Sequence, residues 1–199
     1  MFTVKQCSVP GCDRPAVSFR DTCAEHLENP HSYQEELEDY LHAGGTVKDL
    51  CLTGLSFEDM DLSGIHFYVC SFSGCSFTGT KLNNTTIQFC QFDFARFAHC
   101  GFQHTTMKYD IFAGAVLENC DFSRSDLLHT NFNGITAVDT IFDSSDLYYS
   151  HFIRASFDHV TFIDCNLKKV NFISSKREHV NFKYSNAEEA VFTLEDLVP

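Results

Sequence analysis

The sequence predicts an all-β solenoid, because one five-residue pattern runs through most of the chain. From Leu52 to Leu197 every fifth residue is large and apolar, without insertion or deletion, except at Ala137, Arg177 and Ala187. We call these 30 residues the core positions, and they hold most of the 21 phenylalanines. A repeat this short can bury its apolar residue only by stacking on its neighbours, which is the defining property of a solenoid.

Size and charge restrict the possible classes of function. The 199 residues suffice for one domain of ordinary size and a small appendage. The formal charge of −13 argues against a general binder of nucleic acid or of anionic membranes. The sequence contains neither an apolar run long enough for a membrane span nor the apolar core of a signal peptide. We therefore expect a cytoplasmic protein whose ten cysteines are thiols or metal ligands.

The N-terminal segment, residues 1–30, carries a candidate metal site. Cys7 and Cys12 flank a Pro-Gly turn, and Cys23 and His26 follow after ten intervening residues. Three thiolates and one imidazole can complete a tetrahedral zinc shell, and a metal would supply folding energy that so few apolar residues cannot. Two alternatives remain open: His31 could replace His26 as a ligand, or the segment could be a small cap with unliganded thiols.

This segment also resembles the small zinc fingers of the form C-x4-C-x-R-P-A, closed by C-x2-H, that occur in phage and bacterial proteins. The resemblance covers about 20 residues and includes all four ligand positions. It implies a structural zinc ion held by Cys7, Cys12, Cys23 and His26. Only three basic residues accompany these ligands, so we do not expect the finger to bind DNA.

Residues 31–49 predict a capping helix and a linker. Ser32 stands at a plausible N-cap position with Glu35 at capping-box spacing, and Gly44 and Gly45 end the helix. One face is apolar and consists of Tyr33, Leu37, Tyr40 and Leu41. Directly before a solenoid, such a helix most simply covers the apolar end of the first coil, although an independent partner-binding helix is the alternative.

Residues 50–199 hold the repeats. The residue two places before a core position is small or β-branched, as at Cys70, Cys90, Thr105 and Ser125, and six glycines stand two places after a core position. This pattern resembles the pentapeptide-repeat family, in which a small residue and Asn or Asp precede Leu or Phe. The resemblance implies a right-handed, four-sided β-helix with four pentapeptides in each coil, and hence about 7.5 coils.

Residues 20 apart are then stacked in successive coils, and we number the sides by their first core residues, Leu52, Phe57, Leu62 and Phe67. Each side stacks large apolar residues, which leaves no room for a ligand inside. The cysteines that meet in adjacent coils are expected to be packed thiols, since coils about 4.8 Å apart exceed the usual Cβ separation of a disulfide.

Two residues depart from the repeat pattern. Asp110 is expected to point inward between Cys90 and Thr130. Arg177 takes the place of an apolar core residue, and we expect a local bulge or corner distortion around residues 174–178, because a guanidinium cannot enter a dry stack.

No motif for a catalytic nucleophile, a phosphate-binding loop or an HExxH zinc site occurs, so we expect a protein that is not an enzyme. His99, His159 and His179 share one outer position with Asp139. These four groups could chelate a metal, but a row of exposed polar residues is the ordinary surface of a solenoid, and we interpret them in that way.

The outer surface of the fourth side carries a candidate binding surface. Its residues are Tyr68, Val69, Phe89, Tyr109, Leu128, Tyr148 and Tyr149. A continuous apolar and aromatic stripe of this extent indicates a protein interface, either with a foreign partner or with a second copy of the chain. Ile111, Ile153 and Ile173 on the first side are a weaker rival, and ordinary neighbour pairing of tyrosines on a strand face is the alternative.

The second side is acidic and consists of Glu58, Asp59, Glu118, Asp139, Asp158 and Glu178. The family resemblance implies a non-enzymatic binding scaffold, and members of the family protect type II topoisomerases such as DNA gyrase by imitating duplex DNA. Unlike those proteins, this chain has no loop interrupting its repeats. A zinc-dependent adaptor, in which the finger binds a target and the rod is a spacer, is the third hypothesis.

Overall fold

The computed structural model describes residues 4–197 as a parallel β-solenoid preceded by a single α-helix, α1 (Pro30–His42). Short 3-10 helices lie at Ala24–His26, Ala187–Glu189 and Glu195–Leu197. The strands are β1 (Thr46–Lys48), β2 (Ser56–Glu58), β3 (His66–Tyr68), β4 (Ser76–Thr78), β5 (Thr86–Gln88), β6 (Arg96–Ala98), β7 (Thr106–Lys108), β8 (Val116–Glu118), β9 (Asp126–Leu128), β10 (Thr136–Val138), β11 (Ser156–Asp158) and β12 (Lys176–Glu178).

All strand pairs are parallel and join residues 20 apart. The second side is the sheet β2-β4-β6-β8-β10-β11-β12, and the fourth side is the sheet β1-β3-β5-β7-β9. On the first side, single bridges run from Cys51 to Val191, and on the third side from Asp61 to Asn181. The predicted right-handed, four-sided β-helix is confirmed, with about seven coils. The register begins at β1, whose buried Val47 pairs with Phe67, so the repeats extend one pentapeptide before residue 50.

The core positions fill the interior. From Leu52 to Phe172 none is more than 2% exposed. On the first side Phe72, Phe92 and Phe112 stack with ring centroids 4.8 and 4.7 Å apart, and on the third side Phe102 and Phe122 stack at 4.3 Å. Rings of the opposing first and third sides meet edge to face, which is the other favourable aromatic geometry.

The small residues two places before the core positions also form hydrogen bonds. The Ser125 hydroxyl donates to the carbonyl of Phe102 at 2.8 Å and accepts from the amide of Thr105 at 3.0 Å, both in the preceding coil. Thiols do the same: Cys75 donates to the carbonyl of Leu52, and the Cys90 sulfur accepts from the amide of Cys70. Buried backbone amides and carbonyls need partners, so Ser, Thr and Cys suit these positions better than Ala does. The cysteines that meet in adjacent coils, Cys70 with Cys90 and Cys100 with Cys120, are free thiols, as predicted.

The corners of the coil lie two residues after each core position as far as Phe182 and have left-handed backbone conformation. Gly54 and Gly74 adopt φ of 76° and 64°, as expected for glycine. Many other corners hold residues with side chains, including Phe89, Tyr109 and Tyr149 with φ of 57°, 61° and 62°. The stacked coils therefore impose this conformation on residues that rarely adopt it alone.

Helix α1 covers the N-terminal end of the solenoid. Its cap is Asn29, whose side chain accepts from the amide of Ser32 at 3.1 Å, and Pro30 occupies the first turn, so the prediction that Ser32 is the N-cap was wrong. Tyr33, Leu37 and Leu41 are buried against the first coil, which confirms the predicted cap.

Tyr40 was expected on the apolar face of the helix, but its side chain is 42% exposed. It lies against Phe19 of the N-terminal segment, with ring centroids 5.1 Å apart. Among residues 4–197 no helix combines the length and the apolar composition that a membrane span requires.

The C-terminal end corrects one prediction. Strand β12 stays in register with β11, pairing Arg177 with Phe157, so the expected bulge around residues 174–178 is absent. Arg177 is exposed in the last strand of the second side, where its guanidinium lies 4.7 Å from the ring centroid of Phe192. It can therefore reach solvent instead of entering a closed stack.

The departure from regular coil geometry lies two pentapeptides after Arg177. Ala187–Glu189 forms a 3-10 helix, and the amide of Lys169 bonds the carbonyl of Glu189, 20 residues on. The equivalent amide of Tyr149 bonds Lys168, 19 residues on.

Asp110 points inward, as predicted, and is 1% exposed. Its Oδ1 accepts from the amide of Cys90 at 2.7 Å, whereas its Oδ2 is buried without a hydrogen-bond partner. Burial raises the pKa of Asp110 to about 8, although hydrogen bonds from the backbone of Cys90 and Lys108 oppose the shift. Asp110 therefore occupies a position that elsewhere holds a small hydrogen-bonding residue. Its carboxyl is neutral at moderate pH.

Replacing Asp110 by Asn removes the ionisation and keeps an oxygen for the Cys90 amide. The pKa of this carboxyl is about 8 when folded and about 3.9 when unfolded. The folded state thus binds more protons between these values, and wild-type stability falls as pH rises through this window. Urea unfolding should show Asp110→Asn gaining roughly 4–5 kcal/mol over the wild type between pH 4 and pH 8. Asp139→Asn, on an exposed corner, is the control and should follow the wild type. Parallel pH profiles for the wild type and Asp110→Asn would contradict this account.

Candidate metal site and interaction surfaces

The N-terminal segment brings its four predicted ligands together through two turns. The amide of Cys12 bonds the carbonyl of Val9 at 3.1 Å, and Gly11 has φ of 81°, so Pro10 and Gly11 form the turn expected between the first two cysteines. The 3-10 helix Ala24–His26 starts at Cys23, whose carbonyl accepts from the amide of His26 at 3.0 Å. Each turn therefore presents two ligand atoms to the same point.

The distances among these atoms match a tetrahedral zinc shell. Zn–S bonds of about 2.3 Å and Zn–N bonds of about 2.05 Å place two sulfurs about 3.8 Å apart and a sulfur and a nitrogen about 3.6 Å apart. The sulfurs of Cys12 and Cys23 are 3.8 Å apart, and Nδ1 of His26 lies 3.4 Å from Cys7 and 3.5 Å from Cys23. All four ligand atoms lie within 4.8 Å of one another. The residues therefore fit a zinc ion.

The local electrostatics favour one thiolate before any metal binds. Desolvation opposes ionisation of Cys7, but hydrogen bonds from the backbone of Val9 and Cys23 and from His26 outweigh it and lower the pKa of Cys7 to about 6. The backbone of Arg14 lowers the pKa of Cys12, but desolvation and the neighbouring thiols outweigh it and raise that pKa. A cation at the centre would relieve the competition among these thiols.

The alternative ligand His31 lies outside this cluster. Its side chain is 85% exposed at the start of α1 and reaches only Glu35, at 3.9 Å. The structure thus brings His26, and not His31, to the three cysteines.

The segment that carries the Cys and His cluster is bonded directly to the solenoid. Residue Ser18, next to the buried Val17, donates its amide to the carbonyl of Cys51 at 2.8 Å, and its hydroxyl accepts from the Cys51 amide at 2.8 Å. Tyr33 of α1 donates its hydroxyl to the carbonyl of Ser18 at 3.1 Å. The N-terminal segment, α1 and the first coil therefore pack together, and any order that a metal gives to the segment also supports the end of the rod.

The predicted stripe of the fourth side forms an aromatic ladder. We use this name for Tyr68, Phe89, Tyr109, His129, Tyr148 and Tyr149. Phe89 stacks on Tyr109 with centroids 5.3 Å apart, Tyr109 on His129 at 5.1 Å, and His129 meets Tyr149 at 5.0 Å. Successive corner residues stack because each coil lies directly over the last.

The predicted members of the stripe differ in exposure. Tyr68, Phe89, Tyr109 and Tyr149 are exposed by 36, 47, 51 and 42%, whereas Val69, Leu128 and Tyr148 are half-buried. The rival residues Ile111, Ile153 and Ile173 are half-buried as well.

Three polar or charged residues also belong to the surroundings of the ladder and were not predicted. His129 bridges Tyr109 and Tyr149. Lys48 lies 5.9 Å from the ring of Tyr68, and Lys169 lies 5.6 Å from that of Tyr149, so a cation faces the rings at each end. Stepping by 20 from Tyr109 would have found His129 and Lys169, had polar residues been admitted.

The acidic residues of the second side fall into two groups. Glu58 and Asp59 lie in the first coil, and a Cβ at Gly79 would collide with the Asp59 carboxylate. The next two coils present Thr78 and Ala98 on this strand face. Acids return at Glu118, Asp139, Asp158 and Glu178. The side is therefore acidic at both ends, and the coils between them carry no acid and include the exposed Arg96.

Two models of known protein families match this chain. A family model described as Pentapeptide repeat region matches residues 115–192, and one described as Pentapeptide repeats (8 copies) matches residues 51–88. Together the two matches span more than half of the chain. The chain belongs to the pentapeptide-repeat family. The search of curated proteins found no match.

Several solved pentapeptide-repeat structures are similar to this protein. A trypsin-treated variant of QnrB1, a plasmid-mediated fluoroquinolone resistance protein, is 18% identical over 72% of this chain and 84% of its own, with a TM-score of 0.41. HetL of Nostoc sp. strain PCC 7120, involved in heterocyst differentiation regulation, is 10% identical over 80% of this chain and 96% of its own, with a TM-score of 0.25. Rfr23 of Cyanothece 51142 is 12% identical over 81% of this chain and 96% of its own, with a TM-score of 0.35. At such low identities no function is transferred to this pentapeptide-repeat protein.

A matched pair of histidine variants tests the metal site of this pentapeptide-repeat protein. We expect about one zinc ion per wild-type chain and per His31→Ala chain, and loss of zinc from His26→Ala, because a tetrahedral site needs all four ligands. Elemental analysis of the purified chains measures this directly. Zinc affinity should also fall as pH is lowered, and below about 6, the pKa of Cys7, protons compete for that thiolate as well. Zinc-free wild-type protein, or zinc retained by His26→Ala, would contradict the assignment.

Proposed function

We propose that this pentapeptide-repeat protein is a non-enzymatic scaffold that binds a protein partner through the aromatic ladder. The observation that supports this proposal is the run of exposed rings along one corner of the rod, from Phe89 through Tyr109 to Tyr149. Exposed apolar and aromatic clusters are typical of protein interfaces, where tyrosine is enriched. Flat sides suit such a surface better than a concave pocket does.

Backbone conformation adds support. The ladder occupies left-handed corner positions, where Phe89, Tyr109 and Tyr149 are unfavourable and Gly or Asn would be easier. Bulky residues held in such conformations cost roughly 1–3 kcal/mol each. Stacking between rings offsets part of this cost. The presence of these residues along one corner is explained if their exposed ring faces bind a partner.

The charges on this side indicate the kind of partner. In a chain of formal charge −13, the fourth side carries Lys48, Lys108, Lys168 and Lys169 as well as Asp49, Asp126, Asp146, Glu188 and Glu189. The cations that face the rings of the ladder are Lys48 and Lys169, and they would complement a partner surface that combines apolar residues with some negative charge. The acidic second side of another copy has the negative charge, so self-association is one form that this interaction could take.

The proposal of a non-enzymatic role is supported by the filled interior. Core positions from Leu52 to Phe172 are closed to solvent, and no chemistry can be arranged between them. A cytoplasmic location belongs to the same proposal, since the free thiols at Cys75, Cys100 and Cys120 suit a reducing compartment.

A charge placed in the middle of the ladder tests the interface. Tyr109→Lys should abolish binding, because an ammonium group would have to be desolvated between apolar surfaces. Tyr184→Lys is the matched control, since Tyr184 is 75% exposed and occupies another left-handed corner with φ of 65°. Solution mass, measured by light scattering at several concentrations, reports self-association.

The outcomes separate the two kinds of partner. A mass that falls in Tyr109→Lys alone supports self-association through the ladder. If the wild type is monomeric, a foreign partner must bind the wild type and Tyr184→Lys but not Tyr109→Lys. Equal binding by all three proteins would overturn the proposed surface.

A second candidate function is modulation of a type II topoisomerase by imitation of DNA, and the acids of the second side favour it. Glu118, Asp139, Asp158 and Glu178 line one side of the rod in four successive coils. Hydrogen bonding to His179, with added charge from His159, lowers the pKa of Asp158, so this carboxylate is ionised at neutral pH. The coils of Thr78 and Ala98 carry no acid on this side and include Arg96, so they interrupt the row and make this function the second choice.

Supercoiling by DNA gyrase tests this second function. If the acids imitate phosphates, the wild type should inhibit supercoiling or protect it from an inhibitor, and Glu118→Lys with Asp139→Lys should remove the effect by reversing two charges. Tyr109→Lys should keep it. No effect of the wild type at high concentration excludes DNA imitation.

The third candidate, a zinc-dependent adaptor, draws on an open cleft beside the metal cluster. The cleft is about 460 Å³ and is lined by Ser8, Arg20, Asp21, Thr22, Leu27, Glu28, Asn29 and Ser32. If a target binds here, His26→Ala should lose that target while Tyr109→Lys retains it.

A further inference from the structure

A second cluster of metal-ligating side chains lies at the C-terminal end of the second side. Within residues 4–197 it is one of two places where three or more His, Cys, Asp or Glu side chains bring ligand atoms within 4.8 Å of one another. Its members are Asp158, His159 and His179. Their side chains are 46, 58 and 65% exposed, so an ion could enter from solvent.

The coil geometry explains why these residues meet. His159 and His179 occupy the same corner position in successive coils, with φ of 53° and 52°. Their rings stack with centroids 4.2 Å apart and an interplanar angle of 21°. Asp158 ends strand β11 next to the first of these corners, and its carboxylate turns towards both rings.

The contacts converge on one oxygen. Oδ1 of Asp158 lies 2.7 Å from Nδ1 of His159 and 3.0 Å from Nδ1 of His179. Both imidazoles therefore present the same ring nitrogen to a shared carboxylate. This arrangement differs from the row expected from the sequence, since Asp158 replaces Asp139 and His99 lies three coils away.

These distances can be compared with metal coordination. Neighbouring ligands at about 2.1 Å from a metal in square or octahedral geometry lie about 3.0 Å apart. The two oxygen-to-nitrogen distances fall at or just below this value. The two stacked imidazole rings must turn apart for both Nδ1 atoms to face one ion, and the exposure of both side chains leaves room for this. Imidazole and carboxylate ligands in tetragonal geometry are typical of Cu²⁺ and Ni²⁺ sites.

We propose that Asp158, His159 and His179 form a surface site for a divalent transition metal of the Ni²⁺ or Cu²⁺ type, with water in the remaining coordination positions. The ligands come from two successive coils, β11 with its corner and the corner that follows β12. A bound ion therefore joins the last strand of the second side to the one before it. It also offsets negative charge among the acids at this end.

The test uses the full chain with its cysteine cluster loaded with zinc. Ni²⁺ is titrated at pH 7.5 by calorimetry, with zinc content followed throughout and thiolate-to-nickel absorption monitored to detect any ion at the cysteines. The wild type should bind one Ni²⁺ without releasing zinc and should unfold at a higher temperature when Ni²⁺ is present. Removal of one ligand in His179→Ala should weaken binding by at least about tenfold.

Two further variants complete the test. Asp158→Asn keeps the shape of the carboxylate and removes its charge, and it should also bind Ni²⁺ more weakly and lose the thermal shift. His99→Ala removes an exposed histidine of the same corner position three coils away and should bind as the wild type does. The proposal is overturned if the wild type binds no Ni²⁺ outside the cysteine cluster, if His179→Ala binds undiminished, or if His99→Ala weakens binding equally.

Discussion

The structure depends on one constraint: each coil must present the same cross-section to the next, so that residues 20 apart stack in parallel. The register holds on all four sides from β1 to Asn181, and the first side keeps it to Val191. It buries the core positions as columns of stacked rings, and it places a hydroxyl or thiol beside a buried backbone amide of the preceding coil. Because both requirements recur in every coil, a residue that departs from the pattern, such as the buried carboxyl of Asp110, is conspicuous.

A stack of this kind has two open ends, and the chain treats them differently. At the N-terminal end α1 buries Tyr33, Leu37 and Leu41 on the first coil, and the Cys and His cluster holds the segment that bonds to Cys51. At the C-terminal end a 3-10 helix departs from the register, and Arg177 lies against Phe192 while its charge stays in solvent. An arginine is tolerated there because the last strand of the second side has an open face.

The rigid register also organises the outer surface. Stacked coils turn single corner residues into rows, as in the aromatic ladder through Phe89 and Tyr109, and they bring His159 over His179. Such rows are available for binding because the interior needs nothing from the outward side chains. A pentapeptide-repeat rod can thus acquire a binding surface or a metal site by outward substitutions that leave its core untouched.

The sequence by itself determined the solenoid, its inward residues and the four N-terminal Cys and His residues that meet in one cluster, since a strict period and the close spacing of these residues are local properties. It did not determine that Asn29 rather than Ser32 caps α1, that β12 accepts Arg177 in register, or that His129 completes the ladder. Only the tertiary structure decided these points. They depend on which groups have a neighbour above them and which face solvent, and on side-chain directions at left-handed corners that a repeat pattern does not specify. The convergence of Asp158 with His159 and His179 is of the same kind, because it joins two coils through side chains that the repeat leaves free.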